Sequence, residues 1–240
     1  MVTAMSMLTV IMLLLLVAFI SPVAQLLLAQ ARRARARQRI ARAHMTQVVD
    51  LVLRMETVAS YGLPIFHYIS LPLTEEVVRD IRRTTPDAPL DLLVHLPPGV
   101  VVGAEAIARA LLTHGGTVTL VVPRHAYSGG LLLALAADRV LLSEGALVGA
   151  VDLQVEGPAA ARILLDRLRS PRAPLALGPL PATHWQRDQP LGPVELRQLG
   201  LQVDTELSDE WRRYLALFRQ PRPGHTRPFL VRLPPTARRP

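Results

Sequence analysis

The amino-acid sequence predicts an α/β fold built on a mainly parallel sheet, and three observations carry that expectation. Short apolar, β-branched runs alternate with helical patterns of about ten residues, as in strands joined by helical crossovers. Half of the 240 residues are apolar, enough for one sizeable core plus a short extra segment. The strand-like runs end in proline or glycine, as at 97–99 (PPG) and at Pro123. In such sheets ligands bind beyond the carboxyl ends of the strands.

Residues 1–30 contain no charged side chain, and 7–20 are almost entirely apolar, with Ser21, Pro22 and Gln25 the clear interruptions before Leu28. A membrane span needs about 20 apolar residues, so a transmembrane helix is expected over 1–30. Arg32, Arg33, Arg35, Arg37, Arg39 and Arg42 follow and supply +6 of the net charge of +8. A cleavable signal peptide carries its positive charge before the apolar core; here it comes after. The positive-inside rule then gives a single-pass protein of the cell membrane with the remaining chain in the cytoplasm. The basic segment 31–45 is expected along the anionic inner leaflet of the lipid bilayer. The charge is local and without interleaved aromatics, so no nucleic-acid partner is expected.

The remaining elements follow in order. Residues 46–61 fit helix and strand equally, and 64–70 (PIFHYIS) have strand composition. Residues 74–83 read as a helix with Glu75 and Glu76 near its start and arginines at its end, as the helix dipole favours. Residues 92–96 (LLVHL) form an apolar strand, and 104–114 form a helix closed by Gly115-Gly116. Residues 117–122 (TVTLVV) read as a buried strand and 129–138 (GGLLLALAAD) as a buried helix. A short strand at 140–142, the segment 145–154 and a helical pattern at 158–169 with Pro158 in its first turn come next. Residues 171–193 read as a Pro/Gly-rich loop carrying Thr183-His184-Trp185. Ser208 caps a last helix, along which Leu207, Trp211, Tyr214, Leu215 and Phe218 form a packing stripe rather than a cofactor site. The domain proper is thus expected over 46–219, and the Pro/Arg-rich tail 220–240 is expected to be disordered.

Composition narrows the chemistry. With no cysteine there are no disulfides, thiolate metal sites or cysteine nucleophiles. All 27 basic residues are arginine, so no Ser–Lys dyad is possible. The seven histidines lack ligand spacing, so no metal is expected, and no Walker or Rossmann loop is present, so no cofactor is expected. What remains is Ser128, at the junction of the 117–122 strand and the 129–138 helix. It reads either as an N-cap or as a nucleophile. A helix start presents unpaired N–H groups and partial positive charge, a place to hold an oxyanion, and Gly129 and Gly130 leave room for another backbone. Loops 97–99 and 127–130 face one cleft if their strands are neighbours.

Arg54-Met55-Glu56-Thr57, the run from Asp91 to Gly99 (DLLVHLPPG), Ala126-Tyr127-Ser128-Gly129-Gly130, Ala134 to Asp138 (ALAAD), Gly149 to Gln154 (GAVDLQ), Thr183-His184 and Leu199 to Val203 (LGLQV) occur in that order. Together they resemble the serine dehydrogenase proteinase family of the Clp/crotonase-like superfamily, alongside Clp protease and signal peptide peptidase A. The resemblance covers roughly residues 46–221 and implies a Clp/crotonase-like ββα spiral, Ser128 as nucleophile, and an oxyanion hole from Gly129 N–H and the loop around Pro98–Gly99. It implies a homo-oligomeric serine peptidase acting on peptide or protein substrates. His184 is the first candidate base, His125 the second, and Asp152 either orients a base or binds turn amides. His95 matches a strand-end histidine of the family. Where the family has Pro-Gly-Gly this chain has Pro97-Pro98-Gly99, and Pro98 has no N–H to donate, leaving Gly99. That departure and the missing lysine point to an alternative: a catalytically inactive homologue acting as a membrane-tethered oligomeric scaffold.

Overall fold

The structure, a computed structural model, describes residues 2–52, 54–58, 63–67, 71–96, 103–127, 129–149, 163, 166 and 190–218. Its centre is a five-stranded sheet of β1 (Gln47–Val52), β4 (Leu90–His95), β5 (Val118–Val122), β7 (Arg139–Leu142) and β10 (Val203–Asp204), in that spatial order. Every pairing in it is parallel. The predicted α/β class with a parallel sheet is therefore correct. Parallel strands need crossovers, and here α2 (Leu71–Arg83) and α3 (Ala104–Thr113) precede and follow β4, while α4 (Gly130–Ala136) leads from β5 towards β7.

The strands are buried on both faces, which explains their near-continuous apolar runs. Leu92, Val94, Leu120, Val122 and Val140 pack under α2, α3 and α4 in the larger core. The alternate residues Val48, Val52, Leu93 and Val121 face a second core made with Ile40, Leu207, Trp211, Tyr214 and Phe218. The expected aromatic stripe is thus core, carried by a last helix whose N-cap Ser208 accepts from Trp211 N–H at 3.5 Å. Asp138 closes the helix-to-strand return: its carboxylate accepts from Val118 N–H and its own N–H donates to Val118 C=O, both at 2.8 Å.

The two N-terminal segments expected at 1–30 and 31–45 are in fact one helix, α1 (Val2–His44). Its end docks on the domain. Ile40 is buried, Arg33 lies over the Phe218 ring at 5.3 Å and donates to Leu217 C=O at 3.4 Å, and Arg37 lies 3.9 Å from Asp50. Two of the six arginines expected along a leaflet, Arg33 and Arg37, thus have aromatic, carbonyl and carboxylate partners on the domain. Arg37 is seven residues before His44, and Asp50 three after Gln47. Both offsets are about 10 Å along their elements, so α1 and β1 run antiparallel. Among the described residues no helix is long and apolar enough to cross a membrane. Ser21, Pro22 and Gln25 interrupt the apolar run of α1, and the transmembrane segment expected over 1–30 is not supported by these residues.

Residues 46–61, ambiguous in sequence, give β1 and then β2 (Arg54–Val58), which pairs antiparallel with β3 (Leu63–His67), from Arg54↔His67 to Val58↔Leu63. A small sheet of β6 (His125–Ala126), β8 (Leu147–Gly149) and β9 (Pro190–Leu191) sits at the C-terminal edge of the main sheet. Residues 190–193, the end of the stretch 171–193 expected as loop, instead give β9 and the start of helix α5 (Pro193–Gln198), which has Pro193 in its first turn and Glu195 accepting from Gly192 N–H at 2.9 Å. The last helix is α6 (Asp209–Leu215). The helical pattern at 158–169 is described only at Ile163 and Asp166, and the tail 220–240 lies outside the described residues.

Candidate active site

The carboxyl ends of β4 and β5 meet as the sequence anticipates, because the two strands are neighbours. The chain leaving β5 turns at Pro123 and runs as β6 across the end of β4. Leu96 N–H donates to His125 C=O at 3.1 Å, and Tyr127 N–H donates to Leu96 C=O at 2.9 Å. Leu96 and Ala126 form a parallel bridge. Tyr127 is therefore fixed against the residue that precedes loop 97–102.

The far end of that loop is fixed against the other flank of Ser128. Gly129 is the N-cap of α4, with φ 86° and ψ −4°. That left-handed conformation favours glycine. A methyl group built on Gly129 would lie 2.4 Å from Cβ of Ala104, the first residue of α3. Gly130 is equally close-packed: its added methyl would lie 2.8 Å from Cβ of Ala126. The starts of α3 and α4 thus abut without room for a side chain. The cap position belongs to Gly129, with no side-chain cap bond, so the N-cap reading of Ser128 is corrected: the serine precedes the cap by one residue.

Strand alternation sorts the neighbours of Ser128. Ala126 is fully buried and faces Gly130. His125 and Tyr127 lie on the opposite side, with ring centroids 5.1 Å apart. His95, the buried last residue of β4, has its ring centroid 4.3 Å from that of His125. The H-x-Y spacing on an extended segment is the sequence signal that His125 and Tyr127 share a side, whereas nothing in the sequence pairs His95 with His125. Burial, followed by the nearby Arg124 charge, lowers the pKa of His125, which favours the neutral imidazole.

Of the site residues expected from sequence, the structure brings Gly129, Gly130 and His125 to one corner of the sheet. Ser128, Gly99, Asp152 and His184 lie outside the described residues. Among the described residues no group of three or more His, Asp or Glu side chains is arranged to hold a metal ion. A cavity of about 690 Å³ lies elsewhere, on the α1/α6 face near the amino ends of the strands, lined by His44, Asp91, Thr119, Arg139, Ser208 and Trp211 among others. Asp91 forms part of its floor, and burial raises its pKa from 3.8 to about 6, against the opposing influences of His44, Thr119, Thr46 and Arg139.

The sequence profile described as ClpP-like SDH-type serine proteinase matches residues 1–173. Two uncharacterized proteins of Methanocaldococcus jannaschii are similar in sequence. One is 30% identical over 211 residues, 72% of this chain and 74% of that protein. The other is 30% identical over 226 residues, 79% of this chain and 77% of that protein. Among solved structures, a ClpP1 mutant from Listeria monocytogenes aligns with TM-score 0.41 and 14% identity, covering 66% of this chain and 91% of that chain. An enoyl-CoA hydratase from Mycobacterium avium aligns with TM-score 0.43 and 14% identity, covering 72% of this chain and 78% of that chain.

Proposed function

Because this chain belongs to the ClpP-like SDH-type serine proteinase family, we propose that it hydrolyses peptide bonds at the carboxyl edge of its parallel sheet, with Ser128 as nucleophile. The observation that carries this is the bracketing of the serine. Tyr127 is bonded to Leu96 on one side and Gly129 abuts Ala104 on the other. Both ends of loop 97–102 are thereby held against the two neighbours of Ser128.

In this reading Ser128 Oγ adds to the scissile carbonyl while its proton passes to His184, oriented by Asp152. The carbonyl oxygen, now an oxyanion, accepts from Gly129 N–H and Gly99 N–H. Collapse expels the amine, which takes the proton from the imidazole, and water then hydrolyses the acyl ester by the same route. His125 is the less favourable base, since it stacks beside His95 on the side of β6 away from Ala126. The peptidase acts as a homo-oligomer, in keeping with its family.

The second part of the proposal is that α1 tethers the domain to the lipid bilayer, with the domain in the cytoplasm. Val10 to Leu16 are seven consecutive large apolar side chains, each 45–64% exposed. Seven residues cover nearly two helical turns, so the exposure goes all round the helix, whereas a helix on a water-soluble surface hides one apolar face. A scaffold without catalysis is the competing reading, favoured by Pro98 having no N–H for an oxyanion.

A fluorophosphonate probe separates them. Wild-type protein is expected to label, Ser128→Ala not at all, and His184→Ala at a much reduced rate. Equal labelling of wild type and Ser128→Ala, or none of either between pH 6 and pH 9, sinks the peptidase reading. Tethering predicts that the full chain floats with vesicles through high salt and alkaline carbonate, and that deletion of residues 2–30 abolishes flotation.

A further inference from the structure

On the face of the main sheet beneath α1 and α6, one polar row crosses three strands. Asp91 of β4 is in register with Thr119 of β5, and Thr119 with Arg139 of β7. The next row towards the carboxyl edge on that face, Leu93, Val121 and Leu141, is apolar. The polar row lines the cavity of about 690 Å³ near the amino ends of the strands. That volume lies in the range of small-ligand sites.

The charges in the lining are unevenly matched. Arg139 pairs with Asp204, and Arg197 donates from Nε and Nη2 to Val203 C=O at 3.1 and 2.9 Å. His44 Nε2 lies 3.4 Å from Ser208 Oγ. Asp91 is only 9% exposed and is hydrogen-bonded to the Thr119 and Thr46 side chains. Among the described residues neither Asp91 nor the exposed Glu206 is within ion-pair distance of an arginine. Arg139 and Arg197 against Asp91, Asp204 and Glu206 leave the lining one charge negative when His44 is neutral. Burial raises the Asp91 pKa to about 6. At neutral pH the carboxylate is thus ionised where an uncompensated charge is costly, and a cation beside it would relieve that cost.

The lining also says which cation. Thr46, Thr117 and Thr119 bring hydroxyl oxygens to the cavity alongside the Asp91 carboxylate. An ammonium group, with three N–H donors, needs several acceptors of this kind. A metal ion would need more, and among the described residues no three His, Asp or Glu side chains are grouped to hold one. A quaternary ammonium takes an aromatic cage, whereas Trp211 in this lining is buried in the core.

We propose that this cavity is a binding site for a primary ammonium group, carried by the amino terminus of a short peptide or by a small aliphatic amine, with Asp91 as its counter-ion. The site is distinct from the corner that holds His125 and Gly129, which lies at the carboxyl ends of the strands. Helix α1 runs antiparallel to β1, so its residues before Arg33 also leave past the carboxyl edge. The inference needs neither the peptidase nor the tethering reading.

Melting of the full chain in non-ionic detergent tests it, at pH 7.5 and constant ionic strength. The probes are diaminopentane, triglycine amide, N-acetylated triglycine amide and tetramethylammonium chloride. Diaminopentane or triglycine amide is expected to raise the melting temperature by mass action, and whichever acts identifies the carrier of the ammonium group. The acetylated peptide and the quaternary ion are expected to do nothing. No response to either primary amine, or an equal response to tetramethylammonium, overturns the site. Asp91→Asn, whose own melting reports whether it folds, is expected to lose the response, and Glu144→Gln, on an exposed turn, to keep it. An undiminished response in Asp91→Asn overturns the assignment. A second measurement needs no change at Asp91. Apparent affinity in the wild type is expected to be about tenfold weaker at pH 5 than at pH 7.5, as the Asp91 carboxyl takes up its proton. The same fall in His44→Gln separates this from charging of the nearby imidazole. Affinity that is unchanged between the two pH values, or a fall that vanishes in His44→Gln, overturns the proposal.

Discussion

Asp91 lies on the cavity floor, and its native pKa of about 6 stands above its ordinary 3.8. Between those values the folded state binds more protons than the unfolded state, so stability falls as pH rises through that window. Above it the ionised, buried carboxylate costs on the order of 3 kcal/mol. Asp91→Asn is therefore expected to raise the melting temperature at pH 7.5 and leave it nearly unchanged at pH 4. His125 acts with the opposite sense. Its native pKa is lowered, so stability is lost as pH falls below the ordinary imidazole range. His125→Gln is expected to flatten the acid side of a stability–pH curve measured between pH 7 and pH 5. Gly129→Ala meets both an unfavourable left-handed φ and the Ala104 methyl. Together these cost about 2–5 kcal/mol, a loss that urea unfolding would register. At this scale the sequence was half legible. The glycines after Ser128 announced a close approach, but not that their partner is Ala104, and nothing near Asp91 in sequence foretold its burial, which three strands and two helices create together.

The strands β4, β5 and β7 were legible because burial on both faces leaves an apolar run that only a parallel sheet explains. The run Gln47–Val58 was not, because Asp50 and Arg54 are four apart, as on one helix face, while Asp50, Arg54 and Glu56 also alternate with apolar residues as in a strand. The structure supplies a reason for the first of them. Asp50 accepts from the Tyr214 hydroxyl and lies near Arg37, so α1 and α6 converge on it. Helix α5 was masked by Gly and Pro, although Gly192-Pro193 followed by Glu195 is itself a helix-start signal. The docked end of α1 was obscured by its arginines, which read as a segment along an anionic leaflet until Ile40 is seen in the core with Trp211 and Arg33 against Leu217 and Phe218. Tyr214→Phe removes a hydrogen bond to a carboxylate and is expected to cost about 1.5–3 kcal/mol. Ile40→Ala leaves a cavity in the same core and is expected to cost about 2–5 kcal/mol. Both are measurable as shifts in denaturant midpoint without change in slope.

Across the whole molecule, the boundary that matters falls inside α1, near Arg33, and not at a junction between elements. Deleting residues 2–30 is expected to give a protein that melts within a few degrees of the full chain. Deleting residues 2–44 uncovers Trp211, Tyr214 and Phe218 and is expected to abolish cooperative unfolding by calorimetry. The overall class was readable in advance because it depends on the alternation of strands and helices, and the glycine start of α4 was readable with it. The fusion of helix and domain was not, since helical periodicity is silent about where a long helix stops touching its neighbours. That fusion has a mechanical corollary. If α1 enters a bilayer as proposed, a tilt imposed on its residues next to Arg33 by a thicker or thinner hydrocarbon layer would be passed through the docked end of the helix to the sheet. Lipid composition would then set the angle at which the carboxyl edge of the sheet meets the headgroups.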